Sequence, residues 1–149
     1  MIKFFLLITI TTVTTNGYAQ QDSDRSMSNQ EIVTTFLNGF NDPSQIHVSL
    51  SLLADDYQFT NPMVSLQSKA EFIALAKEIS AVLTGVNLIS TAENGDWVGA
   101  FYEFTSSVTG VESNIASEWF RLENGLIKES RLIYDASEWR KIYEQMENR

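Results

Sequence analysis

The chain has 149 residues, enough for one domain with its own core plus a short appendage, and no repeat, low-complexity segment or linker divides it further. It has no cysteine, which removes disulfides, thiolate metal sites, cysteine nucleophiles and a lipoprotein anchor. With 19 acidic residues against 10 basic ones the net charge is −9, and no basic run appears, so nucleic acid and anionic membrane are poor partners.

Residues 1–20 differ from the rest: Lys3 gives a short positive start, an apolar run diluted by threonines follows, and Gly17-Tyr18-Ala19 supplies small residues at a cleavage site. The run is about half a membrane-spanning length. A signal peptide cleaved near Ala19 is expected, giving an exported protein, periplasmic or secreted. Residues 21–27 read as a flexible tether, and residues 28–149 as a single domain.

Ser28-x-x-Glu31 is a capping box that opens a helix with Ile32, Val33, Phe36, Leu37 and Phe40 on one face. Asp42-Pro43 restarts the chain with an N-cap and a first-turn proline, predicting a second helix through Leu53 to about Asp55-Asp56. His47, the one histidine, lies on it and is read as a surface or core-edge residue. With no second histidine and no cysteine, neither metal nor cofactor is expected. Residues 57–60 alternate like a short strand that Asn61-Pro62 breaks.

Ser68-x-x-Glu71 opens a third helix, closed by Gly85. The apolar period then switches from helical to alternating, with strands at 86–93 and 97–106 around an Asn94-Gly95 turn. Two more strands follow within residues 114–135, and Asp135-x-x-Glu138 caps a last helix through Trp139, Ile142 and Tyr143. Helices segregated from a mainly antiparallel sheet make the fold class α+β.

The last hairpin turns at Glu123-Asn124-Gly125, which admits two geometries. A two-residue turn pairs Glu123 with Leu126, whereas a glycine bulge at the turn pairs Leu122 with Leu126. The bulge is preferred for its cleaner core face: Ala116, Glu118, Phe120, Leu122, Leu126, Lys128, Ser130, Leu132 and Tyr134. Trp119, Arg121 and Arg131 then point the other way. Glu118 is the carboxyl on this otherwise apolar surface, so its pKa should rise unless it is paired. It is the candidate general acid or hydrogen-bond donor, and Ser130, Tyr134 and Tyr102 are its candidate partners if its role is structural instead. No nucleophile elbow or glycine-rich phosphate loop occurs.

The stretch L-L-A-D-D-Y-Q-F-T-N-P, the Asn-Gly hairpin and W-F-R-L-E-N-G-L-I-K-E-S-R-L-I-Y-D-A-S together resemble the SnoaL-like group of the nuclear-transport-factor-2-like superfamily, which shares its fold with ketosteroid isomerase. The resemblance implies a cone-like curved sheet around a pocket, helices on its concave side, and frequent dimerisation through the outer sheet face. Carried over by position, the isomerase's oxyanion tyrosine falls on Phe36 and its base on Asn61, neither of which can act so, while its protonated aspartate falls on Glu118. The epoxide-hydrolase branch needs an Asp-Arg-Asp relay, but its positions fall near Phe101, Leu132 and Gly99. Both catalytic sets are incomplete here.

The implied site comprises Phe36, Asn61, Tyr102, Glu118, Phe120, Ser130, Leu132 and Tyr134. Three functions are then in view. The first is binding of a small, largely apolar ligand. The second is an isomerase or cyclase using Glu118 as acid/base, with Asn61 or Tyr134 orienting the substrate. The third is a protein–protein module or homodimer through Trp119, Arg121 and Arg131.

Overall fold

Ser28 caps the first helix in the reciprocal way its spacing predicts. In the computed structural model, which describes residues 26–147, its Oγ accepts from the Glu31 N–H at 3.3 Å and the Glu31 carboxylate accepts from the Ser28 N–H at 2.7 Å. The expected leader and the tether up to residue 25 lie outside the described residues. Helix α1 (Asn29–Asn38) buries Ile32, Val33, Phe36 and Leu37, and a 3-10 turn (Gly39–Asn41) ends it. Gly39 is required by close approach: a Cβ there would stand 1.8 Å from the Ser49 Oγ. That buried hydroxyl donates to the Phe36 carbonyl at 2.8 Å, tying α1 to α2 (Ile46–Ser51).

The second helix is shorter than expected at both ends. Asp42 accepts from the Ser44 N–H in a turn instead of capping a helix, and the chain is already strand at Leu53. Strand β1 (Leu53–Thr60) pairs in parallel with β6 (Leu126–Tyr134), and its register shifts between Leu53 and Gln58. That irregularity puts two buried residues and then two exposed ones at its start, which erases the alternation a strand normally shows. Strand β2 (Ser65–Leu66) adds to its edge, and α3 (Lys69–Ile79) follows. The third helix also stops early, at Ser80, and Gly85 is not its terminator. Leu83 has by then joined β3 (Leu83–Asn94), where it pairs with Ser106 of β4 (Trp97–Ser106).

With β5 (Ser113–Glu123), the six strands form one mixed sheet in the order β2-β1-β6-β5-β4-β3. Helix α1 packs on β3 and β4, and α3 on β1, so one face of the sheet is covered. Phe36 from α1 meets Phe72 from α3 at 6.2 Å and Phe120 from β5 at 5.6 Å, while Phe72 also meets Tyr57 at 5.2 Å and Phe59 at 5.1 Å. Each such buried aromatic contributes about 1.5–3 kcal/mol by burial, before geometry adds its part.

The β5–β6 turn corrects the expected bulge. Glu123 pairs with Leu126, and Asn124 (φ 52°) and Gly125 (φ 76°) both sit in the left-handed region, the signature of a two-residue type I′ turn. The irregularity lies further along, where Leu122 faces Ile127 but Arg121 faces Glu129, leaving Lys128 as the extra residue. Ile127 is therefore core, whereas Leu126 and Lys128 leave the inner face. Beyond the bulge the expected faces hold, but Glu118 stands opposite Leu132, not Ser130. Helix α4 (Ser137–Glu147) closes the chain. Asp135 accepts from the Ser137 N–H at its start, and Glu138 pairs with Lys141 instead of completing the expected box.

Candidate functional site

Alternation on β5 aims Glu118 at the covered face, and the pairing of β4 with β5 sets Tyr102 diagonally beside it. The Tyr102 hydroxyl donates to Glu118 Oε2 at 2.7 Å. From β6, the Ser130 hydroxyl donates to Glu118 Oε1, also at 2.7 Å. Behind Ser130, the Tyr57 hydroxyl of β1 lies 2.6 Å from the serine oxygen. Ser130 has one proton and gives it to the carboxylate, so Tyr57 must be the donor in that pair. The four side chains form one buried chain in which every hydroxyl proton leads toward Glu118.

Burial pushes the Glu118 carboxyl up from 4.5 to about 7, against the two hydrogen bonds, which pull it down. Burial and then the Glu118 charge push both Tyr57 and Tyr102 well above the usual phenol range. Glu118 thus changes charge near neutrality. Its proton can sit on a lone pair that Tyr102 and Ser130 leave free, or displace one of their hydrogen bonds in two ways. Donating to Ser130 turns the serine proton onto Tyr57, whose own proton then loses its acceptor in the core, at about 1–3 kcal/mol. Donating to Tyr102 turns the phenol proton toward the cavity. That displacement strands nothing. The cavity therefore meets an acceptor when Glu118 is ionised and a donor, from the carboxyl or from Tyr102, when it is protonated.

That cavity has a volume of about 430 Å³, and Phe36, Asn61, Tyr102, Glu118, Leu132 and Tyr134 line it together. Phe120 and Ser130 do not line it. Both are fully buried, Phe120 beneath Phe36 and Ser130 behind the carboxylate. Asn61 ends β1 with its Oδ1 accepting from the Met63 and Val64 N–H groups at 2.7 and 2.8 Å. Those two donors identify the oxygen, so the amide group that remains is a donor. Tyr134 is half-buried, edge-on to Phe104 at 5.4 Å, and burial raises its pKa.

Several walls were not named from the sequence. Phe72, Leu75 and Ile79 of α3 and Trp139 and Tyr143 of α4 also line the cavity. Their three-to-four spacing marks one helix face each, but nothing local says which sheet face receives it. Tyr57 was missed for a different reason: its partner Ser130 is 73 residues away.

The positions carried over from the isomerase, Phe36, Asn61 and Glu118, converge on this one cavity. Of those carried over from the epoxide hydrolases, Leu132 lines it, and Phe101 and Gly99 do not. Phe101 is largely exposed on the outer face, and the outer face at Gly99 is covered by the Trp119 ring. His47 is exposed, and among the described residues no cluster of histidine, aspartate and glutamate is placed to hold a metal. Nor is any described helix long and apolar enough to cross a membrane.

No protein-family profile and no curated protein matches the chain. Solved structures do match. An NTF2-like protein of unknown function from Cytophaga hutchinsonii superposes with a TM-score of 0.67 at 16% identity, over 81% of this chain and 99% of that one. An LEH-like epoxide hydrolase from M. tuberculosis gives 0.64 at 16% identity, over 76% and 86% of the two chains. A de novo designed protein with a curved β-sheet gives 0.65 at 16% identity, over 82% and 98%. A hydrolase and a designed chain share this architecture, so it carries no activity by itself. What the likeness establishes, with the strand order and the helix-covered sheet, is that the chain has the nuclear-transport-factor-2-like fold.

Proposed function

We propose that the cavity binds a small, largely apolar ligand. The observation that carries this reading is the convergence of aromatic and aliphatic side chains from α1, α3, α4 and the sheet on one space of about 430 Å³, with few polar groups among them. Native mass spectrometry of the purified protein should detect a co-purifying small molecule. Phe36→Trp, which fills part of the cavity, should weaken binding of that molecule in calorimetry while the fold persists. Unchanged affinity would count against the cavity as the site.

An enzymatic reading, isomerase or cyclase in type, is favoured by Glu118 alone: a carboxyl held near pH 7 beside a cavity is poised to exchange a proton. Asn61 or Tyr134 would then orient the substrate. Chromatography of the recovered ligand after incubation with protein separates this from binding, because catalysis changes the ligand and Glu118→Gln abolishes the change. Self-association through the outer sheet face is favoured by Trp119, 40% exposed, and Ile133, 63% exposed, beside Arg121 and Arg131. Trp119→Glu should halve the mass read by light scattering, and an unaltered mass dismisses this reading. Residues 1–20 would export the protein to the periplasm or medium, and N-terminal sequencing of the secreted form should begin near residue 20.

A further inference from the structure

The cavity carries charge of one sign. Among the described residues its charged lining consists of Glu118, buried, and Glu78, exposed, with no lysine, arginine or histidine. Helices α3 and α4 carry four cations, of which Lys77 is exposed and outside the lining, Lys141 pairs with Glu138 at 2.6 Å, and two bond backbone carbonyls. Lys69 of α3 donates to the Leu53 carbonyl at 2.9 Å, and Arg140 of α4 donates to the Pro62 carbonyl at 2.9 Å. The polar groups that face Glu118 are Tyr102 from β4, Ser130 from β6 and, behind it, Tyr57 from β1, all of them neutral. Among the described residues Glu118 has no ion pair, although buried carboxylates ordinarily have one.

The hydrogen-bond inventory points the same way. An ionised carboxylate has about four acceptor positions, of which Tyr102 and Ser130 use two. Tyr102 has directed its only proton to Glu118, so its oxygen too offers only lone pairs. Here the wall presents acceptors, surrounded by aromatic rings whose faces attract cations. The net charge of −9 favours cations at longer range.

We infer that the ligand carries a positively charged nitrogen on its apolar body, an alkylammonium whose N–H groups meet the Glu118 carboxylate and the Tyr102 oxygen. The inference rests on the cavity being the binding site and specifies what it binds. The ammonium adds donors to lone pairs that Tyr102 and Ser130 leave open and supplies a counter-charge. A carboxylate ligand of the same shape is repelled, and a neutral alcohol satisfies the hydrogen bonds without the charge.

The test is calorimetric titration of the purified protein with phenylbutylamine, phenylbutanol and phenylbutyrate, three probes on one skeleton, at about pH 8.5, where an alkylamine stays protonated. The amine should bind about tenfold or more tightly than the alcohol, with the carboxylate weakest. In wild type the preference for amine over alcohol should narrow toward about pH 5.5, as Glu118 takes up its proton. Glu118→Gln, with its fold checked by circular dichroism, should abolish the preference, and if that variant does not fold the wild-type pH series decides. Alcohol binding as tightly as amine overturns this inference and leaves the apolar-ligand reading standing. A preference that survives in Glu118→Gln overturns the assignment to Glu118. Failure of all three probes to bind overturns both readings.

Discussion

Glu118 and Glu129 stand on neighbouring strands of the same sheet, face opposite ways and are titrated in opposite directions. Burial raises Glu118, and only neutral hydroxyls oppose it. Glu129 feels some desolvation too, but bonds from Arg131 at 2.7 Å and Arg121 at 3.3 Å outweigh it and hold the carboxyl below its usual range. On the outer face Glu129 has the opposite charges of Arg121 and Arg131 beside it. On the inner face Glu118 has no such partner among the described residues. A neutral amide there would have one acceptor oxygen, whereas Tyr102 and Ser130 each donate to a separate oxygen of the carboxylate.

The faces should also break differently under mutation. Phe120 is fully buried on the inner face and edge-on to Phe36 at 5.6 Å. Phe120→Ala should destabilise the fold by about 3–5 kcal/mol, read as a lowered urea midpoint. Glu118 comes next. A carboxyl whose folded pKa exceeds its unfolded value binds more protons folded than unfolded, so the contribution of Glu118 to stability is full below pH 4.5 and lost as pH rises to about 7. The loss should total about 3 kcal/mol. Urea titrations across that window should show this slope in wild type and a flatter one in Glu118→Gln. Equal slopes would mean that Glu118 is not the group being titrated.

Glu118 was legible in the sequence because a lone carboxyl interrupts an apolar alternation, a pattern that survives errors in register. The register itself was wrong. A bulge at the turn and a type I′ turn with a bulge at Lys128 have the same parity, so the faces agree from Glu129 onward and disagree only at residues 126–128. The start of β1 was hidden because its irregular parallel pairing with β6 depends on residues about seventy positions away. Val82 and Leu83 keep a helical spacing after α3 has ended, and only pairing with β4 makes Leu83 a strand residue. Long-range pairing decided each of these, and local propensity does not encode it.

Arg131 gives the smallest effect and the sharpest check on the outer face. Its guanidinium bonds Glu129 at 2.7 Å and lies 5.7 Å from the centre of the Trp97 ring, with the side chain 64% exposed. An exposed ion pair contributes about 0.2–1 kcal/mol and an exposed cation–π contact about 0.5–1 kcal/mol. Arg121 remains to neutralise Glu129 when Arg131 is removed. Arg131→Ala should therefore lower stability by no more than about 1 kcal/mol, and the ion-pair share of that loss should shrink at high salt, where exposed charges are screened. Urea midpoints of wild type and variant at low and high salt measure both effects. A loss as large as that of Phe120→Ala, unchanged by salt, would mean that the outer face is buried against a second copy, because only desolvation makes an ion pair so costly to break.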